Sequence, residues 1–559
     1  MTRKWLAALA LAGLWAGCRR APSGPAGPAV FEEVARSAGV SFRHFPGTRS
    51  SLLPEDMGSG VCFADADGDG RDDLYFVNAA PLDPARREAG ASTANALFLN
   101  KGDGAFARAP GAAPGRGSGM GCLFADFSGS GRRDLFLTGY EGDLFYRNEG
   151  GGRFAEAGSA AGLTDRRWGA GACAADYDGD GRVDLFVPRY VAFDASGAPS
   201  RPAMDRGGYN VPVTLSPHAY PPVGSSLYRN EGGGRLRDVT RTAGAAGADR
   251  KGMQCLFADL DEDGRPDLYV ADDVTPDLLL RNRGGGAFSD ATFEAWLGDV
   301  KSSMGAALGD YDGDGDLDLA VTQWIAHEKS LYINLLRERA SKDKPGRRLH
   351  FADGNAAAGL GETTLDNVGW GAAFLDYDND GRLDLLLANG STFEERERPE
   401  KLIGQRLQLF RNRGDGTFAD ASSHAGPAFR VPLNARGLAA ADYDGDGRLD
   451  VAVNVHGGDA LLLRNVLDNG NHWLELRLRA LGAPDAIGAR ARLTTPDGRV
   501  QTRVVTAGES YLSQHSFTLH FGLGGDARAA KVEVLWPSGR RTVLTDVAAD
   551  RLVAVAESR

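Results

Sequence analysis

The sequence repeats a short acidic phrase, Asp-x-Asp-x-Asp-Gly-x-x-Asp, whose residue types suit a loop that binds a hard cation. Six copies carry all four Asp residues, and they begin at Asp65, Asp176, Asp259, Asp310, Asp376 and Asp442. Carboxylate and carbonyl oxygens in such a loop can supply the six to eight ligands that Ca2+ takes. The phrase therefore predicts Ca2+ as the cofactor, at about six sites.

The spacing within each loop assigns a role to every second residue. In the loop that begins at Asp176, the side chains at positions one, three and five are expected to converge, and Gly181 permits the sharp turn. The carbonyl at position seven and the Asp at position nine complete the predicted cage. The predicted metal ligands are Asp65, Asp67, Asp69, Arg71, Asp73, Asp176, Asp178, Asp180, Arg182, Asp184, Asp259, Asp261, Asp263, Arg265, Asp267, Asp310, Asp312, Asp314, Asp316, Asp318, Asp376, Asp378, Asp380, Arg382, Asp384, Asp442, Asp444, Asp446, Arg448 and Asp450.

One further copy of the phrase has lost two of its carboxylates. It begins at Asp126 and carries Ser128 and Ser130 where the other loops carry Asp. Because calcium affinity in such loops depends on the number of charged ligands, this loss should weaken the site severely. We therefore predict that the loop at Asp126 binds no ion.

The loops recur at intervals that indicate a repeat architecture. The first Asp residues of successive loops, including Asp126, lie 50 to 83 residues apart. Each loop is followed by a run typical of a β-strand, and then by a strand that ends near an Asn and a glycine-rich turn. Glycine is abundant, with 76 residues, which suits many tight turns. This pattern predicts an all-β fold, with a seven-bladed β-propeller over residues 31–470.

Both ends of the predicted propeller carry a further signal. The phrase from Phe31 to Gly39 recurs from Leu236 to Gly244, so N-terminal residues are expected to complete the last blade. Closing the ring in this way would remove exposed sheet edges. After Asn465 the repeat stops, and residues 471–559 contain runs that alternate in hydrophobicity with period two, which predicts a small C-terminal β-sandwich.

The first residues have the pattern of an export signal. Two basic residues precede an apolar run from Trp5 to Trp15 that is short for a membrane span, and Cys18 follows. The end of this run is similar to a bacterial lipobox, so we expect residues 1–18 to be a signal peptide and Cys18 to be lipidated. Ordinary signal cleavage, with a secreted product, is the alternative. Residues 19–30 are predicted to form a linker.

The four remaining cysteines have equivalent positions in successive repeats. Each lies three or four residues before the first Asp of a loop, inside an apolar run, and they are Cys62, Cys122, Cys173 and Cys255. This placement is typical of small buried core residues. Disulfides between neighbouring blades are compatible with export, but the sequence does not determine which cysteines pair.

A long insertion interrupts the third repeat. Residues 188–224 are rich in proline and carry three tyrosines, Tyr190, Tyr209 and Tyr220. Because long loops on a rigid scaffold often bind ligands, these tyrosines are candidates for a ligand-binding surface, where they could stack on sugar rings. They could equally pack within the insertion itself.

Motifs in the C-terminal region resemble the ASPIC/UnbV domain, and the acidic repeats resemble the FG-GAP/VCBS class of integrin-type propellers. The matching C-terminal motifs are Ile487-Gly488-Ala489-Arg490, Gly508-Glu509-Ser510-Tyr511-Leu512-Ser513-Gln514, Leu519-His520-Phe521-Gly522-Leu523-Gly524 and Val534-Leu535-Trp536-Pro537-Ser538-Gly539. Together the two parts are similar to the CRTAC/ASPIC family. The resemblance implies a secreted, calcium-binding or adhesion-like protein.

These features favour a non-enzymatic binding, adhesion or scaffold module at the cell envelope. Its expected partner is an extracellular or envelope protein or a polysaccharide, with contact to the membrane only through a lipid anchor. The formal net charge of -12 and the lack of a strongly basic patch argue against a nucleic-acid partner. The alternative function is a calcium-dependent enzyme that acts on extracellular polysaccharide, in which clustered carboxylates would transfer protons.

Overall fold

Short antiparallel strands make up most of the described chain, which confirms the predicted all-β fold. A computed structural model describes residues 30–194, 204–206, 209–211, 213–325, 327–337 and 349–559. The predicted signal peptide, including Cys18, lies outside these residues.

Seven groups of four antiparallel strands follow one another in the order of the sequence repeats, and we call each group a blade. The fourth and fifth groups are joined into one eight-stranded sheet by pairing of Asp267–Pro276 with Val300–Gly309. Blades 1 to 3 consist of Val61–Ala64, Asp73–Phe76, Ala96–Gly102 and Ala105–Ala109; Gly119–Ala125, Asp134–Gly139, Leu144–Gly150 and Arg153–Glu156; and Cys173–Ala175, Asp184–Val187, Ser226–Asn230 and Leu236–Asp238. Blades 4 and 5 consist of Gly252–Ala258, Asp267–Pro276, Leu278–Asn282 and Phe288–Asp290; and Val300–Gly309, Asp318–Gln323, Ser330–Asn334 and Phe351–Asp353. Blades 6 and 7 consist of Gly369–Leu375, Asp384–Asn389, Gln408–Asn412 and Phe418–Asp420; and Ala435–Ala441, Asp450–Val455, Leu461–Asn465 and Phe31–Glu33.

The N-terminal strand closes the ring, as the sequence predicts. Phe31–Glu33 pairs antiparallel with Leu461–Asn465, so the outermost strand of blade 7 comes from the start of the chain. The innermost strand of blade 1, Val61–Ala64, packs against the innermost strands of both blade 2 and blade 7. The blades therefore form a closed β-propeller around a central channel.

Apolar residues fill the spaces between blades. The strand Leu185-Phe186-Val187 is fully buried, because each blade is covered on both faces by its neighbours. Between blades 3 and 4, for example, Phe186 packs in one cluster with Phe257 and Leu268. This explains why the strands after the acidic loops are continuously apolar rather than alternating.

The cysteines lie on the innermost strands. Cys62 of blade 1 and Cys122 of blade 2 form a disulfide, so the possibility of a bond between neighbouring blades is realised for this pair. Cys173 of blade 3 and Cys255 of blade 4 are buried thiols, as expected for small core residues.

A few short elements connect the blades. The helices are Leu53–Met57, Gly361–Thr364 and Ser422–Ala425, and the 3-10 turns are Pro84–Arg86, Val213–Leu215, Pro217–Ala219 and Pro427–Arg430. Two ribbons pair Met204–Arg206 with Tyr209–Val211 and Glu394–Glu395 with Arg398–Leu402. These elements lie at the end of the channel opposite to the acidic loops or in the insertions.

The C-terminal region forms two sheets packed on a common core. One sheet contains Leu519–Gly524, His472–Arg479 and Arg551–Ala556, and the other contains Val500–Val504, Arg490–Thr494, Arg528–Leu535 and Arg541–Ala548. Buried side chains from both sheets, including Leu474, Phe521, Leu493 and Val532, share one core cluster. Pairing of His472–Arg479 with Arg551–Ala556 is parallel, a feature that the period-two pattern does not predict.

One segment of the C-terminal domain enters the channel of the propeller. Residues 507–516, which we call the plug, connect the two sheets of that domain. The amide of Ala174 donates to the carbonyl of Ala507 at 3.0 Å, and Ala306 and Ser510 exchange two backbone hydrogen bonds of 2.8 Å. The amide of Cys122 donates to the carbonyl of Leu512 at 3.2 Å. The plug thus forms backbone hydrogen bonds with the innermost strands of these blades.

The plug contacts the innermost strand of every blade. Besides blades 2, 3 and 5, it bonds blade 1 through Gln514 and Val61, blade 4 through Leu512 and Gln254, blade 6 through Ser510 and Ala372, and blade 7 through His515 and Ala440. Space for it exists because small residues line the channel. A Cβ on Gly60 would lie 2.1 Å from the carbonyl oxygen of Leu512.

Substitution of Gly508 tests this insertion. Gly508 has φ +87°, and a Cβ there would lie 2.1 Å from the carbonyl oxygen of Ala172 in blade 3. We expect Gly508→Ala to lower the free energy of unfolding by at least about 2 kcal/mol, since a left-handed backbone and a backbone clash add together. Chemical denaturation of the full chain measures this. Gly525→Ala is the control, because no atom lies within 4 Å of its added Cβ. Equal stability of the two variants would contradict the insertion.

Candidate metal-binding loops and central pocket

The acidic loops lie together at one end of the channel. Each loop joins the innermost strand of a blade to its second strand, as residues 65–73 join Val61–Ala64 to Asp73–Phe76. The Asp at position nine is the first residue of the second strand and is buried with it. The loops therefore form a ring of carboxylates on the face that the C-terminal domain covers.

Carboxylate oxygens from alternate positions converge within the loops. In the loop at Asp176, oxygens of Asp176, Asp178 and Asp184 lie within 4.8 Å of one another, which fits a single cation. Six such groups occur in the described chain, and five of them are Asp65, Asp67 and Asp73; Asp176, Asp178 and Asp184; Asp259, Asp261 and Asp263; Asp310, Asp312 and Asp318; and Asp376, Asp378 and Asp384. The structure thus brings together positions one, three and nine in four of these five loops.

Backbone amides fix the first and last carboxylates of each loop. Asp176 accepts hydrogen bonds of 2.8 to 3.0 Å from the amides of residues 179–181, which folds the loop around its side chain. Asp184 accepts a bond of 2.7 Å from the amide of Asn230 on the third strand. These bonds position the two carboxylates by the protein backbone alone.

The carboxylate at position three is only half satisfied. In three loops its Oδ1 atom is buried without a hydrogen-bond partner, although buried polar atoms are nearly always paired. Its Oδ2 atom pairs with the arginine that precedes the strand-end Asn. These pairs are Asp178 with Arg229 at 2.7 Å, Asp378 with Arg411 at 2.9 Å and Asp444 with Arg464 at 2.6 Å. An oxygen that faces the cluster without a partner fits a bound divalent cation.

Burial and mutual repulsion disfavour the charged form of these carboxylates. Burial, opposed by hydrogen bonds and reinforced by neighbouring Asp residues, raises the pKa of Asp73 and of Asp184 to about 8. The pKa of Asp384 and that of Asp450 are raised well above the usual range for the same reasons. A cation in the cluster would reverse this effect, because a nearby positive charge favours ionised carboxylates.

Positions five and seven have a different arrangement from the predicted one. The carboxylate of Asp180 pairs with the guanidinium of Arg182, and also accepts a bond from Arg229 at 3.1 Å. The same pairing of positions five and seven recurs in the loops at Asp65, Asp259, Asp376 and Asp442. Only in the loop at Asp259 does position five, Asp263, belong to the carboxylate cluster described above. The assignment of position five and of the position-seven carbonyl as ligands stays a prediction.

The degenerate loop attaches the C-terminal domain. Arg133 donates two hydrogen bonds, of 2.7 and 2.9 Å, to the carboxylate of Asp485. It donates a third, of 2.8 Å, to the carbonyl of Asp65 in the loop of the preceding blade. Ser128 donates to Asp126 at 3.4 Å. The cationic side chain of Arg133 thus lies beside this loop. That the loop at Asp126 binds no ion stays a prediction.

The strand-end Asn residues join neighbouring loops, a role that the sequence pattern alone did not reveal. The Nδ2 atom of Asn282 donates to the carbonyl of Tyr177 in the loop of the preceding blade at 2.8 Å and to Pro266 in its own loop at 3.0 Å. Equivalent bonds to the preceding loop are made by Asn100 to Tyr443, Asn148 to Ala66, Asn230 to Phe127, Asn334 to Leu260, Asn412 to Tyr311 and Asn465 to Tyr377. Seven such bonds link the loops into a closed ring. The recurrence of this Asn in every repeat was the signal that could have found it.

The C-terminal domain rests on the same ring of loops. Arg477 donates to the carbonyl of Gly70 at 2.7 Å, and Arg492 donates to that of Gly315 at 3.0 Å. The amide of Gly522 donates to Asp376, a predicted ligand, at 3.0 Å. Geometry at the loops and docking of this domain are therefore physically linked.

A pocket lies at the opposite end of the channel. Its volume is about 330 Å³, and its walls include Tyr190, Asp273, Met304, Trp324 and Trp370. Met304 and Trp370 lie in the first half of innermost strands, and Tyr190, Asp273 and Trp324 lie near or just after the ends of second strands, away from the acidic loops. The plug and the pocket thus occupy the two ends of one channel.

Two of the three insertion tyrosines are buried and do not form an exposed surface. Tyr190 is only 1% exposed, and its hydroxyl donates to Asp273 at 2.5 Å. Tyr220 is 6% exposed and packs against Phe193 with ring centroids 4.9 Å apart. The side chain of Tyr209 lies outside the described part of the chain. Apolar residues of the insertion pack against the propeller, so Tyr190 reaches the pocket from its wall and Tyr220 serves as packing.

Comparisons with known proteins match both parts of the chain. Residues 481–559 match the family described as ASPIC and UnbV. Residues 126–187, 219–270, 259–321 and 376–453 match the FG-GAP-like repeat. Cartilage acidic protein 1 of Homo sapiens is 26% identical over 337 residues, which cover 58% of this chain and 46% of that protein.

The chain belongs to the CRTAC/ASPIC family.

A second curated relative and a solved structure are also similar to this chain. Cartilage acidic protein 1 of Mus musculus is also 26% identical over 337 residues, covering 58% of this chain and 47% of that protein. The chain therefore spans about half the length of the curated relatives it matches. Among solved structures, an Agrocybe aegerita lectin that recognises non-reducing terminal N-acetylglucosamine aligns with a TM-score of 0.35 and 18% identity, over 65% of this chain and 79% of the lectin. Within the described residues, no helix has the length and apolar character required to cross a membrane.

Removal of one strand-end Asn tests the ring of loops. In Asn282→Ala, the buried carbonyls of Tyr177 and Pro266 lose their donor, and we expect a loss of about 1–3 kcal/mol in the free energy of unfolding. Arg283→Ala is the matched control, because Arg283 is the exposed neighbour in the same strand end. Urea denaturation of both variants measures the difference, and a loss no greater in Asn282→Ala than in the control would refute the role of the Asn.

Proposed function

We propose that this chain is an exported propeller whose acidic loops bind calcium, and that it acts as a non-enzymatic binding, adhesion or scaffold module at the cell envelope. The observation that carries the proposal is the set of six carboxylate clusters in the described chain, each of which could hold one cation. Unsatisfied carboxylate oxygens and raised pKa values support a divalent ion in these loops. The ion would be held mainly by positions one, three and nine.

Calcium would act here as a structural lock. Extracellular calcium modules have dissociation constants of about 10⁻⁴ to 10⁻³ M, and an ion at a hundredfold excess over this value stabilises the folded state by about 2.7 kcal/mol per site. Several such sites approach the whole stability of a typical domain, roughly 5–15 kcal/mol. Because the loops also support the C-terminal domain, their order would determine how both domains hold together.

The pocket supports binding rather than catalysis. Two carboxylates line it, and both have partners: Asp56 is held by Arg49 through bonds of 2.9 and 2.6 Å, and Asp273 accepts from Tyr190. Hydrolysis of a polysaccharide would instead need two carboxylates on opposite sides of a bound sugar, one of them free to donate a proton. The C-terminal domain rests on the acidic loops, and arginines such as Arg229 already pair with loop carboxylates, so these carboxylates are poorly placed to act on a polymer.

Placement at the envelope rests on the N-terminal sequence. An export signal ending at Cys18 would deliver the chain to an oxidising compartment, which agrees with the disulfide between Cys62 and Cys122. Lipidation of Cys18 would then tether the propeller through residues 19–30, the predicted linker. The proposed partner is an extracellular or envelope protein or a polysaccharide.

A count of bound calcium tests the proposal. Native mass spectrometry of the calcium-loaded chain should show about six bound ions, one for each complete loop. Asp378→Asn removes a carboxylate from one cluster and should lower the count by one. Asp126→Asn, in the degenerate loop, is the matched control and should leave the count unchanged. A count that Asp378→Asn does not change would contradict calcium binding in these loops.

A further inference from the structure

The pocket at the open end of the channel has a floor made by the C-terminal domain. The hydroxyl of Tyr511, at the tip of the plug, donates to the carbonyl of Met57 at 2.7 Å. The ring of Tyr511 meets that of Trp370 edge-on, with centroids 4.9 Å apart. Met57 and Trp370 both line the pocket, so the plug fixes its inner end.

One carboxylate in this pocket has no ion-pair partner. Asp273 is 3% exposed, and among the described residues the only cationic side chain that lowers its pKa is that of Lys251. The ammonium of Lys251 donates to the carbonyl of Pro217 at 2.7 Å, and Lys251 does not line the pocket. Burial raises the pKa of Asp273 to about 6, while hydrogen bonds from Tyr190 and Ser302 lower it, so the carboxylate is mainly ionised at neutral pH.

The other charged groups of the lining are directed elsewhere. The carboxylate of Asp56 is held by Arg49. The ammonium of Lys301 donates to Ser330 at 2.9 Å and lies 3.6 Å from Asp353, outside the pocket. Two histidines, His218 and His327, also belong to the lining. Among the Asp and Lys side chains of the described lining, the one without a charged partner at salt-bridge distance is therefore Asp273.

Backbone strain holds this carboxylate in place. Val274, which follows Asp273 and also lines the pocket, has φ +56°, a conformation that β-branched residues rarely adopt. It lies in a register shift of the pairing between Asp267–Pro276 and Val300–Gly309. Such a residue costs about 1–3 kcal/mol and is found mainly where a ligand site requires it.

We infer that this pocket binds a small organic ammonium ion with an apolar body. The ammonium group would donate hydrogen bonds to Asp273 and lie against the ring of Tyr190, whose face attracts cations. The apolar body would pack against Met57, Met304 and Trp370. A volume of about 330 Å³ corresponds to on the order of ten water molecules, which suits a single-ring amine. This inference rests on the proposed function, since it names the ligand class of that binding module.

Two probes that differ only in charge test the inference. Isothermal titration of the full, calcium-loaded chain with 2-phenylethylamine should show binding at least tenfold tighter than with 2-phenylethanol. Asp273→Asn should abolish this difference. Asp299→Asn, which removes the same charge from a residue outside the pocket lining, should preserve it. Nα-acetyl-lysine methylamide forms a second arm: if it binds more tightly than 2-phenylethylamine, the ammonium comes from a partner's lysine, and if more weakly, from a free amine.

A second variant keeps the test decisive if Asp273→Asn does not fold. Val300 is at the pocket mouth and is 63% exposed, so Val300→Trp should block entry without disturbing the core. We expect this variant to melt like the parent chain and to lose binding of both probes. If the parent chain bound the amine and the alcohol with equal affinity, or bound neither, the inferred ligand class would be overturned. The calcium count is independent of these results, so failure here would leave the proposed calcium-binding scaffold standing.

Discussion

The rest of the structure depends on the crowding of carboxylates at the boundary between the propeller and the C-terminal domain. Seven acidic loops meet at one end of the channel, and burial raises the pKa of their last Asp, to about 8 in the case of Asp184. Backbone amides and arginines such as Arg229 offset part of this repulsion. The unpartnered oxygen of Asp178 shows that the offset is incomplete. Under the proposed function, a cation in each complete loop would supply the missing positive charge and make the face suitable for docking.

The same repeats also explain how the domains are held together. Asn residues such as Asn282 link each loop to the one before it, so distortion of one loop reaches its neighbours. Arginine side chains of the C-terminal domain donate hydrogen bonds to loop carbonyls, and residues 507–516 of that domain enter the channel. The tip of that segment is Tyr511, which forms the floor of the pocket. Loops, plug and pocket therefore form one connected structure.

Much of the fold could be predicted from the sequence because the repeat is local. Each acidic phrase fixes a loop between two strands, and the recurrence from Phe31 predicts ring closure. In four of the five loops named above, positions one, three and nine also come together, whereas the loop at Asp259 brings together positions one, three and five. The plug could not be predicted, since Gly508 and Tyr511 lie against residues hundreds of positions away in the chain, at Ala172 and Met57. The burial of Tyr190 likewise depends on distant packing and not on the composition of its insertion.

The melting temperature of the full chain in calcium and in EDTA tests the central claim most directly. If calcium neutralises the buried carboxylates, chelation should lower the melting temperature by many degrees, and restored calcium should raise it again. In EDTA the propeller and the C-terminal domain should unfold together in one transition at the lower temperature, because the loops support both. An unchanged melting temperature in EDTA would contradict the account, since the carboxylate ring would then be stable without a cation.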